Sequence, residues 1–98
     1  MNHTEFFNNQ IAEMEQALKL DRANLESFEA KLRIANAQWK VFGGKENKST
    51  GQFSRGKIER AMMDAKRQIK FFKDSVNFDR VQIHTTKLLK DEFEKEVA

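Results

Sequence analysis

Apolar side chains recur along this chain at alternating spacings of three and four residues, in two runs separated by a Gly-rich gap. The first run passes through Thr4, Phe7, Ile11, Met14, Leu18, Asp21, Leu25, Phe28, Leu32, Ala35, Trp39 and Phe42. The second passes through Arg55, Ile58, Met62, Ala65, Ile69, Phe72, Val76, Asp79, Ile83, Thr86, Lys90, Phe93 and Val97. Such an alternation keeps one stripe of a helix turned toward a partner helix over many turns. Two stripes of this kind joined by a turn predict an all-α fold. It is one antiparallel coiled-coil hairpin, with helices over 4–42 and 54–95 and a basic loop over 43–53. Asn2 or Thr4 can cap the first helix, and Gly43-Gly44 should stop it. Ser54 is the expected cap of the second.

Folding the chain about residues 48–49 pairs seam positions whose numbers sum to 97. Trp39 then meets Ile58, Ala35 meets Met62, Phe28 meets Ile69, Leu25 meets Phe72 and Met14 meets Ile83. In this register large residues repeatedly face small ones, as close packing favours. Asp21 and Asp79 interrupt the seam in adjacent layers. One reading is a paired-carboxylate site for catalysis or a metal. The other is a polar layer that sets register, its charges neutralised by Lys19, Arg22 or Arg80. Acid–base chemistry also needs a pocket, which a two-helix hairpin does not provide.

Each helix carries a second stripe. On the first it is small and Ala-rich: Leu20, Ala23, Ser27, Ala30, Ile34, Ala37 and Val41. On the second it is bulkier: Phe71, Phe78, Val81, Thr85 and Leu88, with Met63 and Leu89 at its margins. A hairpin alone needs one apolar stripe per helix. The surplus predicts a cover over Phe71, Phe78, Val81 and Leu88, because soluble monomers seldom expose such a patch. A second copy, giving a four-helix bundle, and a groove on a larger protein are the two alternatives.

Charge sharpens the picture. The net +3 hides a basic middle: residues 40–73 hold ten basic and three acidic side chains. The flanking segments 1–39 and 74–98 are each −2. The expected basic tip is Lys45, Lys48, Arg55, Lys57, Arg60, Arg67 and Lys70. Its field favours a negative partner, an acidic protein surface or a phosphate backbone. Trp39, Phe42 and Phe53 lie among these charges, and aromatics between cations are what single-stranded nucleic acid stacks on. Trp39 and Phe42 also serve as seam residues closing the core, which leaves Phe53 as the stacking candidate.

The chemistry that the sequence excludes is as informative. Zero cysteine rules out disulfides and thiolate metal sites, and zero proline suits two unbroken helices. Gly51 to Lys57 resembles the start of a phosphate-binding loop, but Ile58 stands where a Mg²⁺-binding hydroxyl belongs. His3 and His84 have no spaced ligand partners, so no cofactor or metal is expected. With no enzyme motif, no leader and no membrane span, the expectation is a non-catalytic cytoplasmic protein.

In outline the chain is similar to the Trp-x-Gly family of small secreted hairpins, although Trp39-Lys40-Val41-Phe42-Gly43 departs from that motif. By architecture it resembles the Rop class of RNA-binding helical hairpins, which work as dimers. In size, in lacking enzyme motifs and in its charged surface with spare apolar stripes, it resembles small phage-encoded proteins that dock on host nucleases or defence complexes. That resemblance implies a modulator, inhibitor or adaptor of a larger complex, such as a nuclease. Direct RNA or DNA binding by a hairpin dimer is the alternative, and a small chaperone or structural coiled-coil subunit the second.

Overall fold

The computed structural model describes residues 3–43 and 55–97, and side chains over 3–42 and 55–96. All described residues are helical. Helix α1 spans His3–Gln38 and continues into a single π-helical turn, Trp39–Gly43. Helix α2 spans Arg55–Val97. The chain is thus an all-α hairpin of two long helices. It divides into two compact units: Met1–Arg22 with Lys73–Ala98, and Ala23–Phe72. Lys45, Lys48, Phe53 and the expected cap Ser54 lie outside the described residues.

In the unit containing both chain ends, the buried side chains are Ile11, Val76, Ile83 and Thr86. All four are seam positions. The Thr86 hydroxyl, taken out of water, donates to Met14 Sδ at 3.5 Å, which answers the cost of burying a polar group. Aromatic rings close this unit. Phe93 packs against His3 at 4.4 Å and against Phe7 at 6.0 Å, and Phe6 meets Phe7 edge-on. The Thr4 hydroxyl donates to Glu94 at 3.5 Å.

In the Ala23–Phe72 unit the buried residues are Ala35, Ile58 and Ala65, with Ile58 only 1% exposed. Phe28 and Phe72 stack at 5.7 Å with their planes 15° apart. Lys31 Nζ sits over the Phe28 ring at 4.6 Å, a cation–π contact that also lets its aliphatic stem cover the ring.

The register differs from the sequence-derived one. The contacting pairs Phe28–Phe72, Asp21–Asp79, Met14–Thr86 and Phe7–Phe93 have numbers that sum to 100 rather than 97. The offset is three residues, nearly one helical turn. Its meaning is clear in heptad terms, with position a at Thr4 and d at Phe7 on α1, and a at Arg55 and d at Ile58 on α2. The expected register set each a opposite a d, large against small. The observed layers set d opposite d, like against like. Two flat rings can stack in such a layer, and the same sum pairs Ala35 with Ala65, both buried, where small side chains allow the backbones to approach.

Candidate functional site

Two surfaces and one interior pair hold the chemistry of this chain. The first surface is the outer side of α2. Phe78, Val81 and Leu88 stand there in the first unit, and Phe71 in the second. These four side chains are between 52% and 62% exposed. The spacing places them there: each lies two or five residues after an a position, on the side of the helix turned away from the seam. Phe71 also meets Phe72 edge-on at 5.1 Å, so its ring is braced from the core side. Leu20 and Ile34 on α1, and Val41 in the π turn, are exposed in the same way.

The second surface belongs to the Ala23–Phe72 unit, which carries eleven basic and five acidic residues in sequence. Arg55, Lys57, Arg60, Lys66, Arg67 and Lys70 on α2 are exposed. Arg55, Arg60 and Arg67 are tied locally. Arg55 Nε pairs with Glu59 at 3.4 Å, Arg67 pairs with Asp64 at 3.9 Å, and Arg60 donates to the Gly56 carbonyl at 3.2 Å. These are one-turn contacts within α2, and they fan the side chains along the helix rather than into the core. The two ion pairs are exposed, so each adds little to stability.

Within the same unit, Trp39 is half-buried and the Arg55 guanidinium lies 5.2 Å from its ring centre. Beside it opens a groove of about 200 Å³, lined by Trp39, Met62, Met63, Glu59 and Lys66. Sequence reasoning missed this groove. Spacing puts Trp39 and Met62 in the seam and Met63 at the margin of the outer stripe, and gives no reason to join them. Glu59, Met62, Met63 and Lys66 are neighbours along α2, and only folding the π turn against that helix brings Trp39 to them.

The interior pair is Asp21 and Asp79. Their side chains are hydrogen-bonded, and the Asp79 carboxyl is raised from 3.8 to about 6. The hydrogen bond to Asp21 is the main cause, followed by burial and the Asp21 charge. Asp79 Oδ2 is buried and lacks a hydrogen-bond partner. The expected neutralisation by Lys19, Arg22 or Arg80 does not occur; below about pH 6 a proton on Asp79 relieves the charge instead. Among the described residues no cluster of three or more side chains could hold a metal ion. None of the described helices is long and apolar enough to cross a membrane.

No family model matches the chain. No curated protein and no solved structure matches it either.

Proposed function

We propose that this chain is a non-catalytic binding protein that docks on a larger protein or protein complex and modulates it. One observation carries the reading. Phe78, Val81 and Leu88 project from one side of α2 with more than half of each side chain exposed. Large apolar groups held on a rigid helix are suitable anchors for a partner's groove, and they lose little conformational freedom on binding. The basic side chains of the other unit would orient the encounter and raise its rate. A partner that offers an apolar groove beside an acidic surface, on nucleic-acid-processing machinery such as a nuclease, fits this reading.

Affinity capture from the native host, with wild type and Phe78→Asp compared by mass spectrometry, tests the reading. A specific partner recovered by the wild type and lost by the variant is the expected result. Recovery of the bait alone in both would sink it.

A second reading, direct RNA or DNA binding, is favoured by the exposure of Arg60, Arg67, Lys57 and Lys70 along α2. It requires affinity that falls steeply with salt, because phosphate contacts release counterions. A fluorescence-anisotropy titration at low salt that detects no single- or double-stranded probe would remove it.

A further inference from the structure

The groove beside Trp39 combines an apolar lining with a charged surround. The indole and the Met62 and Met63 thioether chains form the lining, and Lys66 and Glu59 flank it. At about 200 Å³ it is smaller than the ~300–1,000 Å³ of small-molecule sites. That size suits one anchoring side chain rather than a cofactor. Methionine walls are flexible and polarisable, so they can close around a ring or a branched aliphatic group alike. Residues 55–72 around the groove carry six basic and two acidic side chains, and an approaching segment is therefore favoured if it is acidic.

The detail of the walls separates peptide from nucleic acid. One face of Trp39 is taken by the Arg55 guanidinium, and Arg55 is itself held by Glu59. A stacked base would have to displace that cation. It would also bring a phosphate, present at every nucleotide, close to the Glu59 carboxylate. A peptide can insert an uncharged side chain and place its acidic residues to either side, toward Lys66, Arg60 and Arg67.

We propose that the groove formed by Trp39, Met62 and Met63 seats one large apolar side chain, phenylalanine or leucine in type, from an acidic segment of a partner protein. The proposal rests on the docking reading above and specifies part of the partner's chemistry.

Trp39 is the only tryptophan in the chain, so its fluorescence reports on the groove directly. The probes are short blocked peptides: one central phenylalanine flanked by Asp and Glu, the same peptide with central alanine, and the phenylalanine peptide with Lys flanks. The acidic phenylalanine peptide should change Trp39 emission saturably. Its affinity should fall at least about tenfold on replacing phenylalanine with alanine, the loss expected for an unburied ring. Met63→Asp should weaken it similarly without loss of helicity, and Lys66→Glu should weaken it in a salt-dependent way. No saturable response at millimolar peptide overturns the proposal. So do equal affinities of the phenylalanine and alanine peptides, or a response to single-stranded oligothymidylate with the peptides silent. Capture from the host distinguishes this failure from failure of the docking reading. A partner lost by Phe78→Asp but kept by Met63→Asp overturns the groove alone, whereas loss by both variants with helicity intact upholds the two together.

Discussion

Asp79 and Asp21 meet carboxyl to carboxylate across the helix pair, and Asp79 Oδ2 is buried with no hydrogen-bond partner of its own. Two carboxylates that close cannot both be charged cheaply, so below about pH 6 Asp79 keeps a proton that an isolated carboxyl would release. The pair therefore links the stability of the hairpin to pH.

The folded Asp79 binds its proton up to about pH 6, whereas its unfolded value is 3.8. Between those values the folded state holds more protons than the unfolded state. The stabilising contribution is thus complete below pH 3.8 and is lost as pH rises through about 6. A shift of this size corresponds to about 3 kcal/mol as a ceiling. Solvent access to the partly exposed side chain reduces it to about 1–2 kcal/mol. Urea denaturation at pH 4.5 and pH 7.5 should show the difference in wild type and a much smaller one in Asp79→Asn. An unchanged difference in the variant would assign the pH dependence to other carboxylates.

Ala35 and Ala65 are 3% and 4% exposed and fall opposite one another in the observed register. Cysteines at these two positions should form an intramolecular disulfide readily, within the ~4.4–6.8 Å Cα window that the bond requires. Cysteines at Ala35 and Met62, the pair of the other register, should oxidise more slowly. The reverse order on a non-reducing gel would restore the sequence-derived pairing.

Ile58 is the most completely buried large side chain of the described residues. Truncating it leaves a void that the surrounding seam can only partly fill. Ile58→Ala should therefore cost about 2–4 kcal/mol, seen as a lower urea midpoint with an unchanged slope. A loss under about 1 kcal/mol would mean that the Ala23–Phe72 unit collapses around the truncation.

Phe78→Asp tests what covers the outer side of α2. If a foreign protein does, light scattering should find the same mass in variant and wild type, circular dichroism should be unchanged, and partner capture should be lost. If a second copy does, wild type should be a dimer or larger and the variant a monomer. A buried unpaired charge in that contact would cost several kcal/mol.

The helices and their inward faces were legible in the sequence because a three-four alternation has one economical solution, a helix with a stripe. Ile11, Ala35, Ile58, Ala65, Val76, Ile83 and Thr86, the buried residues, are all seam positions read from spacing alone. The exposed character of Phe71, Phe78, Val81 and Leu88 followed from the same periodicity. Register was another matter. Sliding one helix by three residues keeps both stripes in contact, so periodicity cannot choose between the two alignments. Packing chose: Phe28 on Phe72 and Asp21 on Asp79 form like-with-like layers, and Ala35 falls opposite Ala65 in the same register. A preference for large against small pointed elsewhere. The Asp21–Asp79 contact and the groove at Trp39 share that origin. Each depends on side chains distant in the chain and brought together only when one helix is set against the other, and distances of that kind are not written in the order of residues.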